Sequence, residues 1–156
     1  MAGTMTMMDT NATTDSSTLN DSHRACFACG GFNAHGLKLH FEADDSGVAA
    51  ADWQPSAAFL SYADRLHGGV IATLLDSSMV HALFAQGVTG VTAELTIRYL
   101  QRVNIDDPIH VSGRVDLKRH GVYLCHAEVH QGGVLAVRAS AKFVAMPDTP
   151  PHSHAE

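Results

Sequence analysis

The sequence predicts an α+β domain in which a curved antiparallel sheet wraps around one long central helix. Three observations predict it. Five short segments between residues 37 and 143 alternate apolar and polar side chains, the period of a half-buried strand, and a sixth, 48–53, reads as a return strand. One segment, 68–85, is instead apolar around almost its whole helical circumference. Tight turn signals separate the last strands, as they do between antiparallel neighbours.

In chain order, Leu37, Leu39, Phe41 and Ala43 alternate with Lys38, His40, Glu42 and Asp44, which predicts a strand over 37–43. Asp44, Asp45, Ser46 and Gly47 make a turn, and 48–53 is the return strand, ended by Pro55. The segment 68–85 carries Val70, Ile71, Leu74, Leu75, Met79, Val80, Leu83 and Phe84. A helix apolar on all sides lies in a membrane or inside a protein. Asp76, Ser77, Ser78 and His81 favour the interior of a protein, and Gly87 supplies a stop. Val91, Ala93, Leu95, Ile97 and Tyr99 form one strand face. Ile109, Val111, Val115 and Leu117 form a second, Tyr123, Cys125, Ala127 and Val129 a third, and Leu135, Val137, Ala139, Ala141 and Phe143 a fourth. His120-Gly121 and Gly132-Gly133 are the turns between the last three. One curled sheet cannot enclose such a helix, so a second copy of the chain is expected to close its far side.

The polar stretch 1–22 reads as an N-terminal tail and the Pro- and His-containing stretch 147–156 as a C-terminal tail, leaving one domain over 23–146 of the 156 residues. A net charge of −6, from 16 acidic and 10 basic residues, argues against nucleic acid as a partner. Nothing reaches the length of a membrane span or has the pattern of a signal peptide, so a cytoplasmic location is the expectation. Cys26, Cys29 and Cys125 fit a reducing compartment.

Asp76 carries the chemical interest. A carboxylate in the middle of a buried helix is costly unless it is paired or used. His67-Gly68-Gly69 opens that helix. The first helical N–H groups lack internal acceptors and carry partial positive charge, so an oxyanion or carbonyl can dock there. Read alone, His-Gly-Gly is a glycine-rich turn and Asp76 a carboxylate paired with a cation or facing solvent.

The run His67-Gly68-Gly69-Val70-Ile71-Ala72-Thr73-Leu74-Leu75-Asp76 resembles the signature of hotdog-fold acyl-CoA thioesterases of the phenylacetate-pathway (PaaI-like) group, with the Asp nine residues after the His. Val91-Thr92-Ala93-Glu94-Leu95-Thr96-Ile97-Arg98-Tyr99-Leu100 resembles the family's next strand. Cys26-Phe27-Ala28-Cys29-Gly30, followed by Asn33, Gly36 and Leu37, is similar to the opening of a subgroup, the thioesterase superfamily member four-like proteins. The likeness covers roughly 24–145. It implies hydrolysis of an acyl-CoA thioester, with Asp76 as general base on a water or as nucleophile. It implies that the Gly68 N–H, helped by Gly69, polarises the thioester oxygen. His67 shapes the site and Thr92 orients the water. Several relatives carry an Asn or Gln a few residues before the His; here Ser61 is the candidate substitute. Arg98 is a candidate contact for the substrate phosphates, with Arg102, Arg114, Lys118, Arg119 and Arg138 as further cations.

Gly68 and Asp76 lie roughly 12 Å apart along one helix at 1.5 Å per residue. Both must act within about 3 Å of the same reacting atoms. Two antiparallel copies solve this, with the Gly68 end of one meeting Asp76 of the other. A homodimer with two equivalent sites is therefore expected, assembling further to a homotetramer. His81, five residues past Asp76, is a candidate pocket residue or a packed core histidine. The Cys26-x-x-Cys29 pair invites zinc, with His23, His35 or His40 completing the set, but no second Cys pair exists. A reduced, packed pair is the reading taken, and neither metal nor cofactor is expected. The alternative function is a non-catalytic acyl-CoA binder or sensor on the same fold. A hydratase of enoyl thioesters ranks below both.

Overall fold

Helix α1, Gly68–Phe84, lies across the inside of a bent six-stranded sheet in the computed structural model, which describes residues 23–147. The strands are β1 (Glu42–Ala43), β2 (Ala49–Trp53), β3 (Gly90–Tyr99), β4 (Ile109–Arg119), β5 (Val122–Gln131) and β6 (Val134–Ala145). They run in the order β1-β2-β4-β5-β6-β3, every pair antiparallel. The expected tails, 1–22 and all but Pro147 of 147–156, lie outside the described residues. No described helix is long and apolar enough to cross a membrane.

The sheet's inner face and α1 make the core. Ile109, Val111, Cys125, Val129, Val137 and Phe143 are buried against Leu74, Leu75, Met79 and Leu83. Backbone meets backbone where α1 crosses β4. A Cβ on Gly113 would stand 2.5 Å from the carbonyl carbon of Ser78 and 2.7 Å from the amide nitrogen of Met79, so only glycine seats the helix this deeply. Ser78 is itself fully buried, its hydroxyl donating to the Leu75 carbonyl at 2.7 Å. The turns 120–121 and 132–133 have positive φ at both residues, the conformation that matches the twist of two-residue hairpins. The helix ends as expected, with Gly87 at φ 71° just beyond it.

Three expectations need correction. The segment 37–43 is not one strand. Only Glu42–Ala43 pairs with β2. Lys38 takes a left-handed φ of 56°, which interrupts the ladder, and the Leu37 and Leu39 amides donate instead to the Phe27 and Ala28 carbonyls. The alternation is still a true burial signal through Phe41, but Ala43 is exposed. In β4 a bulge between Val115 and Leu117 reverses the phase, and Leu117 points outward, 52% exposed. In β3 the predicted inner face also breaks. Thr92 stands opposite Phe143 and Glu94 opposite Lys142, so Ala93 is an extra residue without a partner. Thr92 thereby joins Leu95, Ile97 and Tyr99 on the helix side, and Val91 turns out to solvent with Val144.

β3 is an edge of the sheet, ten residues long, with only β6 beside it among the described residues. Val91 and Tyr99 are about half exposed, at 51% and 52%. Along α1, the stripe Gly69, Ala72, Thr73, Asp76 and Val80 is likewise not buried, while the opposite side is.

Candidate active site

β3 grips α1 at two points. Thr92 Oγ1 donates to Asp76 Oδ1 at 2.6 Å, and the Tyr99 hydroxyl donates to the Gly68 carbonyl at 2.7 Å. The bulge at Ala93 makes the first bond possible, since a regular strand carrying Leu95 inward would turn Thr92 outward. Bulges commonly re-aim a side chain in this way beside functional sites. Burial against the helix raises the Tyr99 phenol above its ordinary pKa.

Asp76 is half-buried in the middle of the helix. No cation among the described residues stands within ion-pair distance of it, so the paired-carboxylate explanation for its burial does not apply. A carboxylate with a hydroxyl donor on one oxygen and its second oxygen open can accept a proton from a water.

At the helix start, His67 is the N-cap. Its Nδ1 accepts from the Gly69 N–H at 2.9 Å, which requires the proton on Nε2. The Val70 and Ile71 amides donate to the His67 carbonyl. Gly69 is thus engaged within its own helix end, and the Gly68 N–H is the amide left without an acceptor among the described residues. An outside oxygen can take that position.

Ser61 lies on the exposed approach to the helix, its amide donating to the Arg65 carbonyl at 2.9 Å. Arg98 stands on the outer face of β3, opposite Arg138 on β6, away from Thr92 and Tyr99. His81 is not with the others. Its ring stacks on Phe41 with centroids 4.5 Å apart and meets Phe84 edge-on. Burial, then the neighbouring His23 and His40, pushes its pKa down to about 4. Cys29 sits beside it, its thiol pushed up to about 12 by burial and by Cys26. Tyr99 was read as an inner-face strand residue and not as part of the site. The only signal for it in the sequence is a tyrosine, rather than an aliphatic, at the end of an inward face.

Two depressions of about 480 and 820 Å³ lie on the sheet's other side, among residues such as Asp52, His110 and Ser112. Neither is lined by His67, Gly68, Asp76 or Thr92. Those four residues lie on an open face of the single chain.

Residues 63–138 match the family model described as Thioesterase superfamily. No curated protein matches the chain. Among solved structures, the fold is similar to that of a thioesterase superfamily protein, with TM-score 0.72 and 23% identity over 75% of this chain. This chain spans 61% of that protein's length. It is similar to a hypothetical thioesterase from Streptococcus pneumoniae TIGR4 solved with coenzyme A, with TM-score 0.65 and 20% identity over 69% of this chain and 85% of that one. It is also similar to the E. coli PaaI protein from the phenylacetic acid degradation operon, with TM-score 0.67 and 20% identity over 72% of this chain and 83% of that one. Two further structures of the S. pneumoniae protein carry single alanine substitutions, one of an Asp and one of a Thr sixteen positions further along.

Proposed function

We propose that this chain, which has the hotdog fold of the thioesterase superfamily, hydrolyses acyl-CoA thioesters in the cytoplasm, with Asp76 as general base. The observation that carries the reading is the Thr92–Asp76 hydrogen bond. A hydroxyl that donates to the carboxylate keeps its lone pairs free, and a water bound between the two is held for attack. Asp76 takes one proton from that water as its oxygen adds to the thioester carbon. The carbonyl oxygen becomes an oxyanion at the Gly68 N–H, whose positive helix end stabilises it. Collapse breaks the C–S bond, and the CoA thiolate leaves to take up a proton.

Two of the structures similar to this one support the substrate class, since one holds coenzyme A and another acetyl CoA. The Asp and Thr replaced by alanine in the S. pneumoniae protein have the same sixteen-residue separation as Asp76 and Thr92. Arg98 and Arg138, side by side on the outer sheet face, are the pair proposed to meet the CoA phosphates.

The active unit proposed is a homodimer, assembling to a homotetramer. What supports a second copy is the open face around Asp76, the exposed edge of β3 and the roughly 12 Å between Gly68 and Asp76 along one helix. Each site would take its carboxylate from one protomer and its helix N-terminus from the other.

The test is thiol release from a panel of aryl and aliphatic acyl-CoA esters by wild-type protein and by Asp76→Asn. Removing a positioned general base lowers turnover by about 10²–10⁴-fold. The variant should still bind CoA. Unchanged turnover in Asp76→Asn defeats the assignment of the base. Tight binding of the whole panel without hydrolysis by wild-type protein defeats the enzyme reading in favour of a sensor.

A further inference from the structure

Behind α1, on the side away from Thr92, three metal-capable side chains converge. Ligand atoms of His23, Cys29 and His81 all lie within 4.8 Å of one another, the one such group among the described residues. His23 Nδ1 is 3.3 Å from Cys29 Sγ. Cys26 stands three residues before Cys29 on the same turn, half-buried and with no disulfide partner. The turn that brings the two cysteines together is tight. The Gly30 amide donates to the Cys26 carbonyl at 2.9 Å, and a Cβ on Gly30 would stand 2.4 Å from the Cys26 nitrogen.

A thiol–imidazole hydrogen bond accounts for His23 and Cys29 but leaves His81 unexplained. Its Nε2 is buried and has no hydrogen-bond partner among the described residues. Phe41 and Phe84 hold the ring from two sides, so it does not swing to water. A buried polar atom without a partner is destabilising and calls for an unseen ligand or ion.

Two thiols and two imidazoles form the closed tetrahedral donor set that zinc prefers in structural sites. Bond lengths of about 2.3 Å to sulfur and 2.0–2.1 Å to nitrogen put tetrahedral donors about 3.5 Å apart. His23, Cys29 and His81 already lie within 4.8 Å of one another, and rotation of the Cys26 side chain on the same turn adds the fourth donor. We infer that His23, Cys26, Cys29 and His81 bind a zinc ion that fastens the segment 23–30 to α1. Binding releases the two thiol protons to solvent, consumes no oxidant and gives His81 Nε2 its missing partner. The inference does not depend on the hydrolase reading.

The sequence pointed to the Cys pair and to His23, but nothing in its spacing nominates His81. That residue is brought in only when α1 packs against the 23–30 segment.

The experiment uses the full, untagged chain expressed with zinc in the medium, desalted and assayed for metal by mass spectrometry. One zinc per chain is expected, lost in Cys29→Ser and in His81→Gln and kept when His152 and His154 are both changed to Ala. Should a variant fail to fold, cobalt replaces zinc in the wild-type chain. A thiolate-to-cobalt charge-transfer band is then expected. The inference is overturned if the wild-type chain retains no zinc after incubation with excess metal, or if the cobalt form lacks that band. It is equally overturned if both ligand variants fold and keep their zinc, or if the protein's mass shows Cys26 and Cys29 joined as a disulfide.

Discussion

Thr92 on β3 and Asp76 on α1 are joined by a 2.6 Å hydrogen bond that depends on the unpaired residue Ala93 between Thr92 and Glu94. One added residue in an edge strand decides whether the hydroxyl faces the helix or the solvent.

Thr92→Val keeps the shape and removes the donor. A hydrogen bond to a charged group contributes about 1.5–3 kcal/mol, so kcat is expected to fall by about 10- to 150-fold. Thr92→Ser should recover most of that loss. Steady-state kinetics on the best acyl-CoA ester, with circular dichroism to confirm the fold, checks it. Equal rates for valine and threonine would remove the hydroxyl from the mechanism.

Gly113→Ala places a methyl group 2.5 Å from the helix backbone at Ser78. Overpacking of this kind costs about 1–3 kcal/mol, and here both neighbours are backbone and cannot rotate aside. The urea midpoint is expected to drop by that free-energy loss divided by the slope, with the slope itself unchanged. Turnover should fall as well, because α1 must shift and it carries Asp76. A variant as stable and as active as wild type would show that the helix has slack at this seat.

His81 gives a pH dependence in the metal-free chain. Its folded pKa is pushed down to about 4, mainly by burial, against an ordinary value of 6.5. Between those values the unfolded chain binds a proton that the folded chain does not. Stability therefore rises with pH through this window, is fully present above 6.5 and declines as pH falls toward 4. Denaturation midpoints of chelator-treated protein at several pH values should show the decline, and His81→Phe should flatten it. A slope identical in the two proteins would place the titration elsewhere.

Most of the architecture was legible in the sequence because each layer wrote a distinct period. The all-apolar run of α1, with Asp76, Ser77, Ser78 and His81 within it, read as a buried helix, and the last three strands were separated by glycine turns. What was not legible depended on single residues that change phase. Nothing local marks Ala93 or Asp116 as extra, so Val91 and Leu117 were assigned to the core face although both are exposed. Lys38 takes a positive φ that side chain does not advertise. At the candidate site, Asp76, His67 and Gly68 could be named from the resemblance that the run 67–76 carries. The Tyr99 contact is a product of packing between β3 and α1, and the engagement of Gly69 by His67 is a local cap whose rotamer the sequence does not give. Arg98 illustrates the same limit. Its charge was plain, but the face it occupies is set by the register of β3 on β6.

The strand that supplies both Thr92 and Tyr99 has a neighbour on one side only among the described residues. Such a border is where a sheet frays first, long before its interior melts. If β3 peels from β6, Asp76 loses its hydroxyl and the helix start loses its tyrosine in the same event, while β4, β5 and most of the core stay closed. Under the proposed mechanism the chain would then fall silent without unfolding, and whatever lies along that border would govern how often it does.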